Sequence, residues 1–553
     1  MASHAPLVSN PPNLRNCREV GAYRRRRPEE SVLYRVVQQQ LETFLARAEA
    51  RDRPMPRFVE REFRNFLRCG ILAHGFVRVH CDDCRQDRVV AFSCKGRGFC
   101  PSCGGRRMAD TAAHLVDRVL PEVPVRQWVL SLPFALRYRL AYDAKLTSAV
   151  LGIFVRAVFA SLRDRARKHW QIAESQCGAV TFVQRFGGAL NLNVHFHSLL
   201  LDGVYAAQPE GKLHFHPLPP PSDAEVGQVA TRVAQRIARL LERRGLGPGA
   251  APLEADPLAQ EQPLLAALYG ASVASRIAMG PRAGRSVLRV GDQVDADDLP
   301  RFEGPRCASV GGLSLHANVA VPARDRQRLE RLCRYVARPP VATERLSQLP
   351  DGQLVYRLKQ RWRDGTTHVL FSPQELIEKL AALVPPPRFH GVRYHGVLGP
   401  RARARQRVVP GGEPVTSSLK IPGVAQPGPA APADPRPPIG SGPVAMAPIE
   451  PTRTGATAAP SARSEFAPAD SLPPRARRVE WAELLRRVFA VDVLACPRCG
   501  GRMRLLSVIH PPEAARAILE CLDLPARAPP TSAPIPDPSE VVPDWEAAFE
   551  TGG

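Results

Sequence analysis

Apolar positions early in the chain repeat with helical spacing, then give way to short extended runs. Leu33, Val37, Leu41, Phe44 and Leu45 recur at the 3.6-residue period and predict an amphipathic helix over residues 31–50. A second, shorter helix is expected after Pro56, ending near Cys69 and Gly70. A third carries Met108, Ala112, Leu115, Val116 and Val119 on one face. Residues 76–104 between them read as short extended pieces separated by cysteines.

Beyond residue 125 the pattern mixes strands with helices. Residues 128–132 and 179–182 read as buried strands and 190–201 as a longer one, followed by a polar-faced helix over 224–243. A strand over 313–321 precedes a helix over 324–338. Residues 354–358 and 368–371 form a hairpin around Asp364 and Gly365, a pair suited to positive φ in a tight turn. Ser372 and Glu375 then make a capping box, with Pro373 at the first helical position of a helix running to Leu383. This order predicts an α+β fold with a mostly antiparallel central sheet.

Composition locates the parts that should not fold. The chain has 553 residues, enough for three or four units, and its 57 prolines exceed ordinary globular usage. Nine prolines fall within residues 421–450, a composition that cannot bury a core. The expected layout is a disordered basic N-terminus (1–30), a helical and cysteine-rich domain (31–122), the main α+β domain (123–408), a Pro/Ala/Gly-rich linker (409–477), a small CxxC module (478–525) and a disordered tail (526–553).

Seventy-six Lys plus Arg against 53 Asp plus Glu give a net charge of +23 and favour a polyanionic partner. Residues 146–162 are the most apolar stretch, but Arg156 interrupts them, so no membrane span is expected. The N-terminus MASHAPLVSN has no apolar leader pattern, which points to a cytoplasmic protein. In that compartment 13 cysteines are not expected to form disulfides, and their spacing matters more than their number.

Cys81-x2-Cys84 and Cys100-x2-Cys103 have the spacing of a four-thiolate structural zinc site, with no open position for chemistry. Cys69 and Cys94 read as small core residues. Lys95, Arg97, Arg106 and Arg107 surround this segment and suit a phosphate-facing surface. Cys496-x2-Cys499 is half of a second zinc site, which His510 and Cys521 could complete.

Strict alternation over residues 191–197 puts Asn191, Asn193, His195 and His197 on one strand face, opposite Leu192, Val194 and Phe196. Two imidazoles two residues apart can aim nitrogens at one ion while leaving positions open for phosphate oxygens. Gln184 and His316 are both candidates for a third ligand. His214 and His216 have the same spacing, but the prolines after them suggest a loop.

On the helix over 324–338, Leu329, Leu332, Cys333 and Val336 should face the core. Tyr335 lies on the other side with Arg328, Arg331 and Arg338. A tyrosine ordinarily ionises near ~10, so a nucleophilic role needs nearby positive charge, and guanidiniums supply it while gripping phosphates. Tyr394 is the chief rival tyrosine and suits a base-stacking role better.

These segments together resemble a known family. NLNVHFHSLLLDGVY resembles the metal-binding strand of the HUH (His-hydrophobic-His) single-strand endonucleases, and FSCKGRGFCPSCGGRRM resembles the zinc segment of insertion sequence 91-like transposases. SLHANVAVPARDRQRLERLCRYVARPP, WRDGTTHVLF and PPPRFHGVRYHGVLGP are similar to that family's downstream blocks, in the family's order, and the CPRCGG piece is similar too. The resemblance covers about residues 30–400.

It implies a transposase that cuts and rejoins single-stranded DNA at transposon ends and target by tyrosine attack, through a 5′-phosphotyrosine and a free 3′-hydroxyl, in transposition of the rolling-circle type. His195 and His197 match the ligands of a catalytic magnesium or manganese ion, Tyr335 the nucleophile, and Cys81, Cys84, Cys100 and Cys103 the zinc ligands. Some members carry two tyrosines four residues apart, and here Arg331 stands at that position, so the chain resembles a single-tyrosine member. A homodimer or reuse of Tyr335 would then complete the reaction. The alternatives are a plasmid-type replication initiator with the same chemistry and a catalytically inactive, zinc-stabilised DNA-binding protein. A bacterial, nucleoid-associated location would follow.

Overall fold

Ser31 follows a single 3-10 turn (Pro28–Glu30): its hydroxyl accepts the Tyr34 amide at 3.3 Å and opens helix α1 (Val32–Glu49). The computed structural model describes residues 25–209, 211–247, 256–291, 304–362, 364–411, 481–489 and 492–535. The expected disordered N-terminus (all but residues 25–30), linker (all but 409–411) and tail (from 536) lie outside the described residues. Helix α2 (Arg57–Arg68) follows, and its Phe63 and Phe66 pack on Phe99 with ring centroids 4.7 and 5.2 Å apart. Strands β1 (Phe76–Cys81) and β2 (Asp87–Ala91) form a hairpin, after which Cys100 and Pro101 start α3 (Pro101–Arg118).

The larger region begins with β3 (Val125–Ser131) and α4 (Phe134–Tyr142), then the 27-residue helix α5 (Ala144–Trp170). Strands β4 (Gly178–Phe186), β5 (Leu192–Leu201), β6 (Gly203–Ala207) and β7 (Leu213–Pro217) follow, the last two forming a two-stranded sheet of their own, then helices α6 (Asp223–Arg243), α7 (Pro257–Glu261) and α8 (Pro263–Val273). Next come β8 (Leu288–Gly291), β9 (Cys307–Val310), β10 (Leu313–His316), β11 (Ala320–Val321) and helix α9 (Arg326–Val336). Strands β12 (Leu346–Gln348), β13 (Leu354–Arg357) and β14 (Thr366–Phe371), helix α10 (Pro373–Leu383) and β15 (Val392–Gly396) complete the region.

One sheet has the order β15-β4-β5-β3-β10-β9, with β11 also on β3, and every pairing in it is antiparallel. The expected strand over 313–321 is two strands, because residues 317–319 leave the ladder before β11 rejoins β3. The hairpin around Asp364 and Gly365 belongs to a second sheet, β12-β13-β14-β8, and the capping box at Ser372 and Glu375 is present.

Both faces of the main sheet are covered, so β5 is buried along nearly its whole length although its first half alternates polar and apolar residues. Leu192, Val194 and Phe196 join a core cluster with residues of α4, α5, α8 and α10. Leu199 and Leu201 join Leu115 and Val116 of α3 and Leu329, Leu332, Cys333 and Val336 of α9 on the other side. Helix α5 is the one described helix long and apolar enough to cross a membrane, and it is mostly buried as a core helix. Across the sheet, Arg126 and Asp202 are buried together at 2.7 Å, and Arg126 Nη1 also donates to the Ala317 carbonyl at 3.0 Å.

The C-terminal segment is joined to the cysteine-rich domain. Helix α11 (Trp481–Phe489), strand β16 (Met503–Ile509) and helix α12 (Pro512–Cys521) follow in order, and β16 pairs with β1 to complete a three-stranded sheet β16-β1-β2. Ala515 and Leu519 of α12 pack on Leu72, Phe76 and Val89.

Candidate active site

His195 stands directly opposite Gln184 on β4 and Ser131 on β3, and His197 opposite Phe182 and Val129. Directly paired residues share a sheet face, so Gln184 and both imidazoles lie on the side covered by α3 and α9. The two ring centroids are 4.9 Å apart and the ring planes are inclined at 63°. Burial pushes His195 down to about 4 and His197 well below its ordinary value, so both are neutral near pH 7, the state in which a ring nitrogen can hold a metal.

The tautomers follow from the partners. His195 Nδ1 lies 2.9 Å from the Asn193 carbonyl, which can only accept, so Nδ1 carries the proton and Nε2 keeps its lone pair. His197 Nδ1 lies 2.7 Å from the side-chain amide of Gln127. With Gln127 Nε2 donating, the His197 proton sits on Nε2; with the amide turned over, Oε1 accepts from Nδ1–H and the Nε2 lone pair is free. His197 Nε2 and Gln184 Oε1 are both buried without a hydrogen-bond partner, at a cost of ~1–3 kcal/mol for such an atom. A divalent cation held by the two imidazole nitrogens and the amide oxygen would satisfy both, so the donor set fits one.

His316 shares the row of His197 but lies two strands away, beyond Val129, or ~10 Å along the sheet. Among the described residues, the only sets of three or more His, Cys, Asp or Glu donors within 4.8 Å of one another are two cysteine quartets, so His316 does not close on the histidine pair. Of the two candidates, Gln184 is the neighbour. His214 and His216 lie on β7 and not in a loop, because Pro217 ends the strand after them; their rings are 4.8 Å apart near the hairpin surface.

Tyr335 sits in the last turn of α9, and its ring is 6.1 Å from that of His197 in an edge-on arrangement. It is 38% exposed, whereas Leu332, Cys333 and Val336 are buried as the periodicity predicts. Two cations flank the ring: the Arg338 guanidinium at 4.4 Å and Lys359 Nζ at 4.5 Å from its centroid. Arg338 also lies over Phe186 and donates from Nη1 to the Tyr335 carbonyl at 2.9 Å. Asp325 caps the start of the helix, and at that same end, away from Tyr335, Arg326 donates to the Leu120 and Pro121 carbonyls beyond α3.

Arg97 and Arg107 come from the cysteine-rich domain to a cavity beside this site. With Gln184 and Arg338 they line its volume of about 380 Å³. Arg97 Nη1 donates to the Phe389 carbonyl, and Arg107 Nη2 to those of Lys95 and Gly96. Arg106 lines a different cavity, and Arg328 and Arg331 are exposed on α9. Tyr394 is half-buried against the core cluster that α9 joins, with the Arg405 guanidinium 5.7 Å from its ring centroid.

The cysteines are partitioned differently from the expected quartet of Cys81, Cys84, Cys100 and Cys103. Cys100 and Cys103 join Cys69 and Cys94, with Sγ separations of 3.7 Å (Cys69–Cys103), 3.4 Å (Cys94–Cys103) and 3.6 Å (Cys69–Cys100). Cys81 and Cys84 instead join Cys496 and Cys499. The reason is topological: the β1–β2 hairpin carries the first pair away from the start of α3, while β16 returns beside β1. Cys69, which is buried, and Cys94, which is half-buried, are therefore ligand candidates. Neither His510, stacked on Phe92 at 4.7 Å, nor the exposed Cys521 completes the second set.

Two residues of the site, and one exposed aromatic outside it, escaped sequence reasoning. Gln127 carried a signal, a polar residue inside the apolar run of β3. Lys359 had none, being 24 positions beyond Tyr335. Phe134, at the start of α4 just past β3, is 61% exposed with the Arg137 guanidinium 4.1 Å from its ring centroid.

Comparison with known families gives two matches. A family described as "Transposase zinc-binding domain" of the insertion sequence 91 type matches residues 36–132, and a family described as "Putative transposase" matches residues 178–406. No curated protein and no solved structure matches the chain. The first match spans the buried quartet Cys69, Cys94, Cys100 and Cys103, whose separations suit a structural zinc ion.

Proposed function

The chain is an insertion sequence 91-like transposase, and from this premise we propose that it cuts and rejoins single-stranded DNA by attack of Tyr335 on a phosphodiester, as an enzyme of the HUH type. The observation that carries the reading is the meeting of three elements on one sheet face: the neutral His195 and His197, the unpartnered Gln184 oxygen, and the exposed Tyr335 6.1 Å from His197.

His195, His197 and Gln184 would hold a magnesium or manganese ion. Such an ion supplies Lewis-acid polarisation of the scissile phosphate. Arg338 and Lys359, on the faces of the Tyr335 ring, counter the negative charge that develops as its oxygen approaches the phosphate. The Tyr335 oxygen bonds to phosphorus as the bond to the 3′ oxygen breaks; the phenolic proton leaves to solvent, and the departing oxygen takes one up. The phosphotyrosine keeps the bond energy, so attack by a 3′-hydroxyl reverses the step without ATP. Arg97 and Arg107 supply positive charge to the flanking backbone, and the exposed Phe134 offers a ring on which a base can stack.

Arg331 occupies the position four before Tyr335, so each subunit brings one nucleophile, and a two-step reaction would use a homodimer or Tyr335 twice. The test is a denaturing gel of the full chain with single-stranded and duplex oligonucleotides bearing an element end, with manganese or magnesium. A covalent adduct with single strands, lost in Tyr335→Phe and His195→Ala, is expected. An adduct that survives Tyr335→Phe overturns the assignment, and binding without cleavage in any divalent metal leaves an inactive DNA-binding protein.

A further inference from the structure

Residues after 406 fall outside both matched families, yet two of them complete a cluster of four sulfurs. Cys81 Sγ lies 3.5 Å from Cys499 Sγ and Cys84 Sγ 3.5 Å from Cys496 Sγ, across 418 and 412 positions of sequence. A tetrahedral zinc ion with Zn–S of ~2.3 Å sets its sulfurs ~3.8 Å apart, close to this spacing. We propose that Cys81, Cys84, Cys496 and Cys499 bind a second zinc ion, separate from the one in the buried quartet, and that this ion fastens the C-terminal segment onto β1.

The two halves have the same local form. In each, the first cysteine donates its amide to the carbonyl five residues on: Cys81 to Gln86 at 2.9 Å and Cys496 to Gly501 at 2.8 Å. In each, the residue four beyond that cysteine has positive φ, 56° at Arg85 and 77° at Gly500. This turn points two thiols to one side, and two copies brought face to face close a tetrahedron. The buried quartet is built otherwise, with Cys100 and Cys103 at the start of a helix.

Burial alone is a weak fastening here. The core beneath the cluster consists of Val79, Cys81, Cys496 and Met503. Strand β16 leaves Leu505 and Val508 half exposed, and the ion pair of Arg504 with Asp82 at 2.7 Å is on the surface, where such pairs contribute little. A metal commonly replaces the missing core in so small a unit. The fastened segment also reaches the tyrosine helix, because Arg487 of α11 pairs with Glu330 of α9 at 2.8 Å.

The proposal rests on the cysteines alone, so its failure leaves the cleavage reading intact, and the reverse holds. Zinc is counted in the purified full chain and in the Cys496→Ser/Cys499→Ser variant. Two ions per chain in the wild type and one in the variant are expected, with amide exchange faster in residues 503–509 and unchanged in 192–201. One ion per wild-type chain, or two in the variant, overturns the proposal; so do disulfides among these four cysteines in the native chain. If the double variant does not fold, cobalt replacement in the wild type decides: absorption of two four-thiolate ions per chain supports the site, and that of one overturns it.

Discussion

Gln184 Nε2 donates to the carbonyl of Val336 at 2.6 Å, tying the strand beside the histidines to the end of the helix that carries Tyr335. The bond satisfies a carbonyl in the last helical turn, which has no partner within the helix, and leaves Gln184 Oε1 facing the site unpaired. One side chain thus sets both the distance of the nucleophile and a candidate metal ligand.

Replacing Gln184 should separate these roles. Gln184→Leu removes the oxygen, and manganese affinity measured by titration calorimetry is expected to fall ~10- to 100-fold. Gln184→Glu keeps an oxygen and adds charge but cannot donate to Val336, so it should bind manganese at least as tightly while forming adduct more slowly. Wild-type manganese affinity in Gln184→Leu would remove Gln184 from the ligand set.

Arg126→Ala should be among the most destabilising changes in the sheet. It strands the Asp202 carboxylate, which is 6% exposed, without its 2.7 Å partner, a loss of ~3–5 kcal/mol. Urea denaturation measures it, and a double change to Met and Leu should cost less than the single one. An equal loss in both would show that the desolvated charge is not the cause.

His395 gives the fold an acid sensitivity. Burial pushes its imidazole down to about 4, and Nε2 has no partner. An unfolded histidine takes up its proton near ~6.5, so between that pH and about 4 the unfolded chain binds more protons than the folded one. Stability from this residue is complete above ~6.5 and declines as the pH falls through that window, by at most ~3 kcal/mol. His395→Phe should flatten that part of the curve when urea midpoints at pH 7 and 4.5 are compared; an unchanged slope would place the sensitivity elsewhere.

Phe134→Ala should weaken binding of single-stranded DNA by ~5- to 100-fold, the usual worth of one stacked base, with little change in melting temperature because the ring is exposed. Phe134→Trp should keep affinity and report binding by quenching of its fluorescence. Full affinity in the alanine variant would exclude the stacking role.

The sequence by itself determined what repeats locally. The alternation over residues 191–197 put His195 and His197 on one face, the helical period put Tyr335 outside the buried stripe of Leu329, Leu332, Cys333 and Val336, and the capping box at Ser372 needed only four residues, because side-chain direction follows backbone period. Helix α5 went unread because it is apolar nearly all round, as a core helix is, and so lacks a polar face to mark its period.

Pairing between distant segments was decided only by the tertiary structure. Spacing groups Cys81 and Cys84 with Cys100 and Cys103, but strand β16 brings Cys496 and Cys499 to the first pair, and Cys69 and Cys94 are the ones near the second. The choice of Gln184 over His316 depends likewise on which strand neighbours β5. Spacing in sequence bounds how far two ligands can be apart, and only the folded chain fixes which of the reachable ones meet.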